Sequence, residues 1–294
     1  MRHLQPRGVD HAVVAVNDLV AAIRTFRNFG FTAGQVGRHP FGTRNAIVQF
    51  ADRTFVELVA IEDVGQIPDG SAAHFSFGAF VRDYLRAGEG AAMLALASDD
   101  TAADLADFDE AGLWAYNPSG FERDVVREDG ETHQVGFSMA HVGYAGLPDI
   151  AFFTCHNHNP DEFFFTDLER HENTATAIES LVIVSEDPAD HHEFLTHVTG
   201  QHDIRSSGLG LWFPLGTAKL EVISPVAYRA FFGEAPAPMV GRLAAIRFVA
   251  DAMDAVLALL QSRSLRHLSL GDALVVPSGH AHGISIAFVP QAGT

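Results

Sequence analysis

The chain has 294 residues, 47% of them apolar, with 23 phenylalanines, one cysteine and a net charge of −18. That apolar content excludes a disordered chain, and the acidic balance argues against nucleic acid or an anionic membrane as a partner. The lone Cys155 excludes an internal disulfide and fits a reducing, cytoplasmic setting. The N-terminus has no apolar signal core, and no run of about 18 apolar residues marks a membrane span.

Four stretches read alike, each a strand-like run, a short acidic break and a helix-like run. They are VDHAVVAVNDLVAAIRTFRNFGF from Val9, AAMLALASDDTAADLADFDEAGL from Ala91, AIESLVIVSEDPADHHEFLTHVTG from Ala177 and RLAAIRFVADAMDAVLALLQSRSL from Arg242. In the first unit a strand over 11–16 precedes Asn17 and Asp18, either of which caps a helix. Leu19, Ala22, Ile23 and Phe26 give that helix a buried face, and Gly30 ends it. Strands are expected at 31–36, 45–50 and 54–61, and a further helix at 73–87. The second unit predicts strands at 121–128, 133–141 and 150–155, and the segment 159–176 links the halves. In the third unit a helix over 187–198 precedes strands at 202–205, 210–214 and 218–224. The fourth unit ends with strands at 273–276 and 284–289.

The repeated order is βαβββ. One such unit leaves a sheet face uncovered, whereas two curve together around a cavity. The expected fold is therefore α+β, with four βαβββ modules paired into two half-barrel domains, residues 8–158 and 176–290. The first pair would carry the functional site. The second would be structural, as a support or a homodimer interface.

Aligning the units on their acidic helix caps separates scaffold from chemistry. His11 lies seven residues before Asp18, and the matching positions are Met93, Ser180 and Ala244 or Ala245. In the last strand of the first unit Glu57 lies between apolar neighbours on both faces, and Glu221 matches it in the third. A carboxylate in such a strand is costly to bury without a metal ion or a cation beside it. His156 and His158 close the second unit in FTCHNHNP. With His11 and Glu57, either completes a two-histidine, one-carboxylate set for a divalent metal, and iron, manganese, nickel and zinc all suit those ligands. In the second half only Glu221 and Ser180 stand at these places, and no metal is expected there. Cys155, among apolar strand residues, is expected to be buried and inert, and His191 and His192 to be exposed on the third helix.

The segments VDHAVVAVNDL, GRHPFGTRNAIVQF and FVELVAIED resemble the glyoxalase-like domain family of the vicinal oxygen chelate superfamily, which includes glyoxalase I, extradiol dioxygenases and bleomycin-resistance proteins. FTCHNHNPDEFF and ERHENTATAI resemble a subgroup of it. The resemblance implies a small substrate chelated through two oxygens to a divalent metal. It implies His11 and Glu57 as ligands from the first and fourth strands, with Glu57 the catalytic candidate. Arg38, His39, Arg44 and Asn45, in or beside the GRHPFGTRN loop, are candidates to bind an anionic or carbonyl substrate. Lyase, isomerase and dioxygenase chemistry all fit. The alternative is a metal-free binding protein of the bleomycin-resistance type, in which Glu57 pairs with an arginine such as Arg44.

Overall fold

A computed structural model describes residues 6–126, 132–236 and 241–291. Its elements follow the fourfold repeat. The first module is β1 (Val9–Ala15), α1 (Leu19–Asn28), β2 (Gly37–Arg38), β3 (Thr43–Gln49) and β4 (Phe55–Ile61), followed by α2 (Phe77–Tyr84). The second is β5 (Gly90–Ala97), α3 (Thr101–Glu110), β6 (Trp114–Ala115), β7 (Ser119–Val126), β8 (Thr132–Gly143) and β9 (Ala151–Asn157). The third is β10 (Ala175–Val184), α4 (His192–Thr199), β11 (Arg205–Ser207), β12 (Gly210–Leu215) and β13 (Ala218–Ile223), followed by α5 (Pro225–Phe232). The fourth is β14 (Arg242–Ala250), α6 (Met253–Ser262), β15 (Leu268–Leu270), β16 (Ala273–Val276) and β17 (Ser285–Pro290).

Within each module the first strand pairs in parallel with the last, which requires the crossover that the helix supplies. The modules join in pairs through antiparallel first strands, β1 with β5 and β10 with β14. The fold is the expected α+β arrangement of four βαβββ modules in two half-barrels. Four of the helices, α1, α2, α3 and α5, start where a side chain satisfies their first N–H groups. Asp18 accepts from Ala21, Ser76 from Ala79, Asp100 from Ala102 and Ala103, and Ser224 from Ala227. Among the described residues no helix is long and apolar enough to cross a membrane.

Strand alternation sorts the core into three clusters. The outer faces of both half-barrels, with their helices, merge into one: Ala12, Val14, Leu19, Phe26, Val56 and Leu58 join Leu181, Phe194, Leu220, Phe248 and Phe288. Phe31 packs on Phe248 at 4.9 Å and on Phe288 at 5.7 Å, and Tyr144 stacks on Phe194 at 4.0 Å. Each inner face keeps its own cluster.

Two local expectations are corrected, and one helix, α5, adds to them. Residues 31–36 form no strand: Phe31 leaves the sheet to fill the interface between halves, and β2 is only Gly37–Arg38. The break over 187–191 is a 3₁₀ turn, and its His191 is buried, bonded through Nε2 to Ser185 Oγ at 2.7 Å. Helix α5 stands where α2 stands in the first half, announced by a Ser224 cap and Pro225 at the first helical position. The expected strand 121–128 is described only to Val126; its last two positions lie outside the described residues.

Candidate metal and substrate site

The inner face of the first pair of modules encloses a cavity of about 40 Å³, room for roughly three waters. Glu57 reaches it from the middle of β4, with Phe55 and Val59 on the same face and Val56 and Leu58 turned to the shared core. The carboxylate is 6% exposed, so its partners decide its cost. Asn45, on the neighbouring β3, donates from Nδ2 to Glu57 Oε1 at 2.6 Å.

His11 reaches the same space from β1, where an irregularity in the pairing with β5 falls between Val9 and His11. Its ring stacks on Phe55 at 4.2 Å. Asp10 lies 2.5 Å from His11 Nδ1 and accepts its proton, so the Nε2 lone pair faces Glu57 Oε2, 4.0 Å away. His39 comes from the turn between β2 and β3. Its Nδ1 donates to Thr43 Oγ1 at 2.8 Å, and its Nε2 accepts from Asn45 at 3.2 Å and lies 3.4 Å from Glu57 Oε1. Burial pushes its pKa down to about 4 against the pull of Glu57, so the ring is neutral at neutral pH. Glu57 thus turns one oxygen to each of two imidazoles, and each imidazole has its other nitrogen tied.

Cys155 lines the cavity, and burial holds its thiol well above its ordinary value, so it stays protonated and inert. Its Sγ, His11 and Asp10 form a close trio, with donor atoms within 4.8 Å of one another. Asp10 is already the acceptor for His11, which makes it a support for the imidazole. Most of the remaining wall is aromatic, with Ile47 and Met139 among the rings. Phe55, Phe153 and Phe163 lie deep, and the half-buried rings of Phe41, Phe77 and Phe121 meet above them at 5.3 to 5.4 Å.

His39 and Asn45 therefore stand beside Glu57. Arg38 and Arg44 do not. Arg38 is exposed and paired with Glu62 at 2.9 Å. Arg44 alternates with Asn45 along β3 and turns away from the cavity. Strand β9 presents Phe153 and Cys155 inward, so His156 faces away, and exposed His158 bonds Ser138 Oγ at 2.8 Å. Neither reaches the cavity as a third ligand; His39 occupies the place beside Glu57 instead. Register explains why the second module adds no ligand. Val13 pairs with Glu57 and Ala95 with Phe153, which sets Met93 and Phe153 at the places of His11 and Glu57.

Arg123 was not foreseen. It lies on β7, and its guanidinium lines the cavity. The segment FERD puts Phe121 and Arg123 on one face and Glu122 and Asp124 on the other, an alternation that marks Arg123 as inward. In the second half the matching Glu221 is saturated by Arg247, with Trp212 Nε1 donating at 3.1 Å and the Arg247 guanidinium over the Phe232 ring at 4.9 Å.

The family profile described as glyoxalase-like domain matches residues 9–199. The chain belongs to the glyoxalase-like domain family. No curated protein matches the sequence. Among solved structures, a hypothetical protein from Staphylococcus aureus is 13% identical with a TM-score of 0.67, covering 96% of this chain and 99% of its own. The Mn(II)-bound glyoxalase from Novosphingobium aromaticivorans is 11% identical with a TM-score of 0.57, covering 98% and 83%. A triple mutant of 4-hydroxymandelate synthase from Streptomyces coelicolor is 13% identical with a TM-score of 0.58, covering 98% and 94%. The last two are vicinal oxygen chelate proteins, and at these identities they share the fold with this chain.

Proposed function

We propose that the chain is a divalent-metal-dependent enzyme of the vicinal oxygen chelate type, acting on a small oxygen-chelating substrate in the first cavity. The observation that carries this is the convergence of His11, His39 and Glu57 in an apolar enclosure. Both imidazoles are tied at Nδ1, by Asp10 and Thr43, with Nε2 turned to the carboxylate. Neutral imidazole and carboxylate suit a divalent ion, and hydrogen-bonded outer partners of this kind orient such ligands. The three side chains fit the group: His11 and Glu57 would hold it, with His39 as the third donor. When bound, the ion acts as a Lewis acid on chelated substrate oxygens.

Asn45 holds Glu57 in place, and the phenylalanine walls exclude water. A Lewis-acid ion with a carboxylate beside the substrate suits lyase or isomerase chemistry. Two histidines and one carboxylate also suit dioxygenation, and oxygen uptake by the iron-loaded protein separates the two. Manganese is the first ion to try, since the Novosphingobium glyoxalase carries it.

The test is elemental analysis of untagged protein, fresh and after incubation with iron, manganese, nickel or zinc. About one equivalent of metal is expected, lost in Glu57→Ala and in His11→Ala. Metal below about a tenth of an equivalent under every condition refutes the proposal and leaves a metal-free binding pocket.

A further inference from the structure

The cavity holds one charge that the ligand set does not use. The Arg123 guanidinium makes no hydrogen bond and no ion pair within 4 Å among the described residues, and its Nε is buried without a partner. Desolvation lowers its pKa, with Glu57 opposing through space. Yet Glu57 Oε1 is already engaged by Asn45, and Glu57 stays beyond ion-pair reach of Arg123. Room for the guanidinium comes from Gly37. A Cβ there would lie 2.8 Å from Arg123 Nη1 and 2.6 Å from Asn45 Oδ1. A cation so enclosed is costly unless an anion comes to it, and a guanidinium fork matches a carboxylate.

We propose that Arg123 receives a carboxylate, so that the substrate is a small monocarboxylate bearing further oxygens. The assignment of those further oxygens rests on the metal reading above; the carboxylate contact does not. A dianion such as phosphate is disfavoured, because a single guanidinium faces it with Glu57 across the same cavity. The phenylalanine walls take an apolar remainder, and the small enclosed volume keeps it short.

Pyruvate and its neutral amide, pyruvamide, are matched probes of nearly equal size. Each is titrated into the full chain at constant ionic strength, following the thermal midpoint. Pyruvate raises the midpoint in a saturable way and pyruvamide does not. In Arg123→Gln the half-saturating pyruvate concentration rises roughly tenfold or more, while metal content is unchanged. Arg123→Lys, which keeps the charge without the fork, falls between the two and serves if the glutamine variant fails to fold. Equal responses to pyruvate and pyruvamide, or a pyruvate response unchanged in both variants, overturn the proposal. A wild type that responds to pyruvate but holds no metal refutes the metal reading alone.

Discussion

His141 gives the molecule a proton-linked weakness that can be isolated. It lies on β8, 2% exposed, stacked between Phe75 at 4.2 Å and Phe153 at 4.8 Å, with Nε2 buried and unpartnered. Burial pushes its pKa down from 6.5 to about 3. Between those two values the unfolded chain carries a proton on this residue and the folded chain does not. Stability therefore rises with pH across that window, and what is fully present above pH 6.5 is lost as pH falls. Each pH unit well inside the window is worth about 1.4 kcal/mol, so lowering the pH from 6.5 to 4.5 removes about 2.3 kcal/mol through this residue. Urea unfolding of wild type and His141→Gln at several pH values between 7 and 4.5 measures the difference. Carboxylates titrate in both proteins and cancel. The wild type is expected to lose stability faster than the variant by about 1.4 kcal/mol per unit below pH 6.5. Parallel pH profiles would show that the folded protein accepts a proton at His141 as readily as the unfolded chain, refuting the reasoning.

Arg247→Met strands Glu221 in the second half and should cost about 3 to 5 kcal/mol in chemical unfolding, most of it recovered when Glu221→Leu is added. Gly210→Ala places a Cβ 2.1 Å from the Val222 carbonyl oxygen at a φ of 154°, and should lower stability by more than about 1 kcal/mol. Ser224→Ala removes the cap of α5 and should lower stability by about 1 kcal/mol, with metal content in the first cavity unchanged.

The repeat made the scaffold legible, because each module satisfies the same needs with the same kinds of residue. Leu19, Ile23 and Phe26 announced the buried face of α1 by spacing alone, and all three are buried. Glu57 was legible for a different reason: a carboxylate in a strand apolar on both faces has no solvent side to choose. The inward direction of β9 was not legible. Phe152 and Phe153 are both apolar, so alternation could not say whether Cys155 or His156 faced the cavity; the pairing with β5 decides it. Residues 31–36 looked like a strand because Phe31, Ala33 and Val36 are apolar, but Phe31 packs on Phe248 and Phe288 in the other half of the chain, at a distance in sequence that local patterns do not reach. Arg44 shows the same limit, an arginine in a strand whose direction its neighbours in the sheet decide, whereas the alternation in FERD already marks Arg123 as inward.

The merged outer core has a consequence for recombination. Because Phe31 and Phe50 rest on Phe248 across the halves, a chimera that exchanges one half for a relative's must carry over the outward-facing residues as a set. The inward-facing residues travel freely, since each inner-face cluster is drawn from its own pair of modules. New specificities should therefore be obtainable by grafting inner-face positions alone, leaving the seam between halves as it stands.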